Sequence, residues 1–318
     1  MRVLFALAVV VAAVFSLNAA MGEEPVIEAQ PGVAVVAVEP AEQLPFKVKV
    51  QYRRSDGNAS FKDIGFDPEF GPWESEVEYP LDGNYYLFGA EYSFLAGRSR
   101  FAVDVNYGFS EDIDGTTKDW DWLWSDPEPL VFAETDTDAD SDLFNANVYY
   151  RLWGWGPRNS VDVFVGYHNQ KHSFTNSNAR ILIPDLFSAS GKVAEYEMEF
   201  NGVRAGLRTE MAISPRFSVM ANLAFLPFVD VDTNGKWLLR DLTFSQNADG
   251  YGVDFDLLLE FMITRNVSLV GGLKYVFLRA TEGEESGSEA GIPYGPFDVV
   301  DEIESDQFGG TAGVNVRF

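Results

Sequence analysis

The eleven residues from Phe308 to Phe318 (FGGTAGVNVRF) alternate strictly between two faces. Phe308, Gly310, Ala312, Val314, Val316 and Phe318 form an apolar or small face, whereas Gly309, Thr311, Gly313, Asn315 and Arg317 form a polar one. A period of two is the signature of a β-strand with different surroundings on its two sides. The same period recurs upstream. Phe46, Val48, Val50 and Tyr52 oppose Lys47, Lys49, Gln51 and Arg53, and Phe101, Val103, Val105, Tyr107 and Phe109 oppose Arg100, Asp104, Asn106 and Gly108. Tyr251, Val253, Phe255, Leu257, Leu259, Phe261 and Ile263 oppose Asp254, Asp256 and Glu260. Similar runs cover Phe88–Phe94, Leu143–Trp153, Val161–His168, Tyr196–Ile213, Arg216–Asp230 and Val267–Arg279, which makes ten segments in all.

Arg2, an apolar run from Val3 to Leu17 and the small residues up to Gly22 read as a signal peptide over residues 1–22. Residues 23–44, rich in Pro, Ala, Val and Glu, read as a flexible periplasmic leader. No later stretch supplies the ~18 apolar residues of a transmembrane helix. An exported chain with an even number of amphipathic strands then predicts an all-β fold. We expect a ten-stranded antiparallel transmembrane β-barrel over residues 45–318, in the outer membrane of a Gram-negative bacterium. Short periplasmic turns are expected near Ala96–Arg98, Gly154–Asn159, Ser214–Pro215 and Thr264–Arg265. Long extracellular loops are expected over Ser55–Asp82, Ser110–Asp142, Thr175–Val193, Thr233–Gly250 and Ala280–Ser305. The lumen of so small a barrel should be filled by side chains such as Arg53, Glu91, Arg100, Asp104 and Arg151, which disfavours a narrow pore.

The chain has no Cys, so it has neither disulfides nor thiolate metal sites. Its formal net charge of -26 argues against nucleic acid and for cations, basic peptides or a host surface as partners. The segment Ser110–Asp142 concentrates that charge, with twelve acidic residues against Lys118 alone. Within it Asp136, Asp138, Asp140 and Asp142 alternate with Thr137, Ala139 and Ser141, so an extended arm would show four carboxylates on one face. That surface is a candidate for Ca²⁺ or Mg²⁺, though Ser141 and Asn147 rule out an EF-hand. Trp120, Trp122 and Trp124 also alternate, either to stack on a ligand or, the favoured expectation, to anchor the outer rim in the interface. His168 and His172 stand ~13 Å apart on one strand face, too far to chelate one ion together.

The run from Asn106-Tyr107-Gly108 through Asp119-Trp120-Asp121-Trp122 to Ser141–Asn147, followed by Gly166-Tyr167 and Ser173-Phe174-Thr175, resembles the omptins. These are ten-stranded outer-membrane endopeptidases, and the resemblance covers about residues 84–318. It implies an Asp-x-Asp pair at Asp119 and Asp121, an Asp–His pair across the groove, lipopolysaccharide as a partner, and cleavage near basic residues. The positions for the second pair fall near Gly235 and Trp237. A small shift of register would bring in Asp230 or Asp232, but no shift supplies a His. The expected function is therefore non-enzymatic: surface binding, adhesion or a structural role. The alternatives are an omptin-type endopeptidase and a narrow pore.

Overall fold

The computed structural model describes residues 45–318 except 68–70, 97–98, 124–127, 156–157 and 185–186, and excludes the side chains of 67, 111 and 112. The expected signal peptide and leader, and Trp124, lie outside the described residues. Among the described residues there are twelve strands and no helix. They are β1 Phe46–Asp67, β2 Gly71–Pro80, β3 Gly83–Ala96, β4 Ser99–Leu123, β5 Val131–Gly154 and β6 Ser160–Ile183. Then follow β7 Phe187–Ser188, β8 Lys192–Ser214, β9 Phe217–Trp237, β10 Leu242–Met262, β11 Val267–Glu289 and β12 Ile292–Arg317. Antiparallel neighbours pair in sequence around the wall, and β12 pairs back onto β1 to close the barrel. Closure leaves no unpaired edge for hydrocarbon to penalise.

The count differs from the ten strands read in the sequence for two local reasons. β2 and β3 lie end to end between β1 and β4, broken at Leu81–Asp82, where Leu81 turns into the interior and Asp82 accepts a hydrogen bond from the Gly57 amide at 2.8 Å. β7 is a two-residue strand that pairs only with β6.

A larger correction concerns the expected loops. β4, β5 and β12 run for 25, 24 and 26 residues, whereas a membrane crossing needs only ~9–11. The segments read as loops are mostly barrel wall. Their Asp, Ser, Thr and Gly content suits turns, yet alternating side chains still segregate: Asp136, Asp138, Asp140 and Asp142 point out while Thr137, Ala139 and Ser141 point in.

The lipid-facing band is marked by exposed side chains such as Val50, Phe88, Val105, Val148, Val165, Leu207, Leu259 and Leu273. A ring of tyrosines bounds it above. Tyr52 donates to Asn84 at 2.6 Å, Tyr107 to Asp142 at 2.5 Å, Tyr167 to Asn201 at 2.6 Å and Tyr275 to Asp306 at 3.1 Å. Each ring lies toward hydrocarbon with its hydroxyl aimed at a polar neighbour, as aromatic belts require. At the lower edge the rings of Phe46 and the terminal Phe318 meet at 6.1 Å.

Inside the band the lumen is filled with paired charges. Arg208 bridges Glu91 at 3.2 Å and Asp162 at 3.0 Å, and Arg204 meets Asp254 at 3.0 Å. Arg317 meets Glu260 at 2.7 Å, and Lys49 is paired with Asp104. The expected interior positions of Arg53, Glu91, Asp104 and Arg151 hold, with Arg151 on Asp162 at 2.7 Å. Above the tyrosines the interior turns apolar, with Phe61, Tyr79, Phe174, Met198, Phe200, Leu226, Leu278 and Ile303 in one core.

Candidate functional site

The upper mouth is built from inward-facing positions of several strands. On β4, Asp119 and Asp121 share the inward parity of Thr117 and Ile113, both buried. Ser75 of β2 lies opposite Asp121 and hydrogen-bonds to its carboxylate, and Asp63 of β1 lies opposite Ser75. One Asp119 carboxylate oxygen is buried without a hydrogen-bond partner. Burial, then the neighbouring Asp121 charge, pushes the Asp119 carboxyl up to about 8, with Arg240 pulling the other way. Burial also raises Asp121, opposed by Ser75 and Arg240. Both carboxyls of the pair are thus held above the ordinary carboxylate range, Asp119 up to about 8.

A second pair of carboxyls, not singled out in the sequence, completes the mouth. The Gln246 amide nitrogen donates to Asp63 at 3.0 and 3.1 Å and to Glu285 at 3.0 Å. Its oxygen accepts from Tyr196 at 2.9 Å and Thr233 at 3.0 Å, while Tyr294 donates to Glu285 at 2.9 Å. Burial first, and the Glu285 charge second, pushes Asp63 well above the ordinary carboxylate range. Asp63 and Glu285 lie far apart in sequence, inside segments that read as loops. The one available signal was parity: Asp63 is in phase with buried Phe61.

On the β9 side, Gly235 and Trp237 face inward, as the resemblance placed them. A side chain at Gly235 would collide with the ring of Phe244, which covers that position. Trp237 stands edge-on to Phe244 at 6.1 Å, and the Arg240 guanidinium lies 6.0 Å from the Trp237 ring while donating to Glu289 at 2.9 and 3.1 Å. Asp230 and Asp232 are exposed on the outer face, so the shifted register that would have brought either inward does not occur. The histidines are elsewhere. His168 is buried against Asn145 Oδ1 at 2.7 Å, and His172 against Ser141 Oγ at 2.7 Å. Asp119 shares a row with Ala133 and, through it, Ile181 of β6. His172 is nine residues down that strand, about 30 Å away, and burial pushes its imidazole down to about 3.

The four alternating aspartates of β5 are spaced at ~6.8 Å steps by the extended backbone, so all four cannot converge on one Ca²⁺ with ligands at ~2.4 Å. Asp136 is bonded by Asn178 at 2.9 Å and Asp142 by Tyr107. Among the described residues, no three His, Cys, Asp or Glu side chains gather to hold a metal. Trp120 and Trp122 face outward, their rings 6.4 Å apart, and Phe132 lies 5.5 Å from Trp120. They stand thirteen and fifteen residues beyond Tyr107 on β4, roughly 40–50 Å along the strand. That distance corrects the expectation of an interfacial anchor.

No protein-family model matches this chain, and no curated protein matches it by sequence. Among solved structures, the outer membrane protease OmpT from Escherichia coli matches with a TM-score of 0.71 at 15% identity, covering 88% of this chain and 98% of that one. The translocator domain of the autotransporter NalP from Neisseria meningitidis matches with a TM-score of 0.39 at 13% identity, covering 86% and 88%. OprG from Pseudomonas aeruginosa matches with a TM-score of 0.30 at 11% identity, covering 87% and 96%. The apolar band, the tyrosine ring and the closed sheet define an outer-membrane β-barrel. Its architecture is omptin-like.

Proposed function

We propose that this barrel is a non-proteolytic surface-binding protein whose projecting acidic wall engages cationic polypeptides. One observation carries the reading: the groove opposite Asp119 and Asp121 presents Trp237, Arg240 and a Phe244-covered Gly235 instead of a base. Among the described residues no His stands across from the two aspartates to serve as the base, and general-base help is worth ~10²–10⁴-fold. The aromatic core stacked beneath the mouth, with Tyr79 at 4.3 Å from Phe174 and 5.2 Å from Tyr196, also argues against a pore. The endopeptidase reading keeps one feature in its favour, the inward pair Asp119 and Asp121 with the Asp119 carboxyl pushed up to about 8.

Refolded protein with lipopolysaccharide, incubated with peptides carrying paired basic residues, separates the readings. No cleavage is expected, together with weak binding that added salt weakens further. Cleavage abolished by Asp121→Ala would overturn the proposal in favour of the endopeptidase, and salt-insensitive binding would remove the acidic wall from it.

A further inference from the structure

Four short turns close the lower end of the barrel, between β3 and β4, β5 and β6, β8 and β9, and β10 and β11. Short turns of an outer-membrane barrel face the periplasm. Each of the four carries one arginine and no acid: Arg98, which lies outside the described residues, Arg158, Arg216 and Arg265. In a chain with 49 acidic residues and 23 basic ones, that bias runs against the composition. The acids described below the tyrosine ring, such as Glu91, Asp162 and Glu260, all have inward parity. No described carboxylate there faces outward to offset the arginines.

Three of these turns are tied into one arc. Arg158 donates to the Pro215 carbonyl at 2.8 Å and to Ser218 Oγ at 3.1 Å, which lays its guanidinium against the turn of Arg216. The Arg216 carbonyl accepts from the Met262 amide at 2.8 Å, three residues before Arg265. The partners of Arg158 are neutral, Arg216 and Arg265 are exposed, and none of the three meets a described carboxylate. The arc is continuous with the lipid-facing band. Exposed Trp153, Ile213 and Ile263 precede Arg158, Arg216 and Arg265 by two to five residues, and the Trp153 and Trp155 rings meet at 5.2 Å. Tryptophans in this position mark the membrane interface. The guanidiniums therefore stand where hydrocarbon gives way to headgroups, and a soluble partner would have to reach them through the lipid.

We infer that Arg158, Arg216 and Arg265 form a binding arc for anionic phospholipid headgroups at the periplasmic edge of the barrel. A guanidinium fork matches two phosphate oxygens. A zwitterionic headgroup brings its own ammonium to the phosphate, whereas an anionic one leaves it free for the arginines. Each cation at an anionic lipid surface is worth a factor of about five. The arc is at the opposite end from the acidic wall, so it stands or falls apart from the peptide-binding role proposed above.

The refolded barrel in nanodiscs of phosphatidylcholine with a minority of phosphatidylglycerol tests it. In one sample the phosphatidylglycerol carries brominated chains; in the other an equal share of the phosphatidylcholine does. Bromine quenches tryptophan on contact, and Trp153 and Trp155 are the described tryptophans below the tyrosine ring. Brominated phosphatidylglycerol should quench several-fold more effectively, and added salt should reduce the difference. Arg216→Gln combined with Arg265→Gln should remove most of it, each single change giving an intermediate value. Arg180→Gln with Lys192→Gln, an equal charge loss on the upper wall, should leave it unaltered. Both arginines of the double variant are exposed turn residues, and heat-modifiable migration checks that every variant is folded. Equal quenching by the two lipids, or a preference that survives the double variant, would overturn the proposal. Equal quenching together with sedimentation on purified peptidoglycan that the double variant loses would overturn it in favour of the cell wall.

Discussion

Below the tyrosine ring the wall is apolar outside and charged inside; above it the same strands are charged outside and apolar inside. β8 shows the change most plainly. Its upper part sends Glu195, Glu197 and Glu199 out and Tyr196, Met198 and Phe200 in, whereas its lower part sends Val203, Ala205 and Leu207 out and Arg204 and Arg208 in. β12 makes the same exchange between Glu304 and Phe308: Glu304 and Asp306 precede Phe308 on the outer face, and Ile303 gives way to Ser305 and Gln307 inside. Parity in a strand is fixed, so the exchange is written entirely in which parity carries the apolar residues. The solvent outside dictates it. Lipid lets apolar side chains face outward and leaves the lumen to paired charges, whereas water demands an ordinary buried core.

The difference can be broken at three points. The largest effect is expected in the upper core, where Phe174 is 2% exposed and stacked on Tyr79. Phe174→Ala should cost ~3–5 kcal/mol of unfolding free energy in denaturant titrations. Phe225→Ala, which removes the same ring from the lipid face, should cost clearly less, because lipid tails fill the space. Equal losses would mean that the upper interior is not a packed core.

A smaller effect is expected for misplaced charge. Leu259→Arg in the lipid band should destabilise by ~2–4 kcal/mol in lipid, whereas Glu199→Arg on the upper outer face should stay within ~0.5 kcal/mol. Similar values for the two would put the boundary in the wrong place.

The smallest effect concerns the mouth and depends on pH. The folded chain holds the Asp119 proton up to about 8, whereas the unfolded chain releases it near the ordinary value of 3.8. The folded state thus binds more protons between these values, and stability falls as pH rises through the window. Asp119→Asn removes that loss. The variant should be more stable than wild type by ~1–3 kcal/mol at pH 8.5, since part of the carboxyl is reachable by water, and equal to it at pH 3. A pH-independent difference would show that Asp119 is not the group held protonated.

The lipid band was readable from sequence because every strand there pairs apolar odd or even positions with polar alternates, and Leu257, Val148 and Val165 lie on the side their spacing assigned. Most of the upper wall was read as loop, although on β8 the strand read from Tyr196 already reached into it. Thr135 to Asp142 alternate as cleanly as any membrane strand, but with acids in the outer register, and an acidic run with Ser and Thr resembles a loop when backbone pairing is unseen. At the mouth, the inward parity of Asp119 and Asp121 could be inferred from the strand resemblance. The Asp63–Gln246–Glu285 set could not, because β1, β10 and β11 meet only when the barrel closes. Likewise, the aspartates of β5 were assigned to one face correctly, but a strand holds them apart where a loop could have folded them around an ion.

Site-directed labelling along β5 tests the central claim, that the acidic segments are barrel wall around a closed core. The chain has no Cys, so single substitutions at residues 136–142 each report one position to a membrane-impermeant maleimide in intact outer membranes. Asp136, Asp138, Asp140 and Asp142 sites should label rapidly and Thr137, Ala139 and Ser141 sites should stay protected, a strict period of two. Uniform labelling across all seven positions would contradict the account and restore a loop.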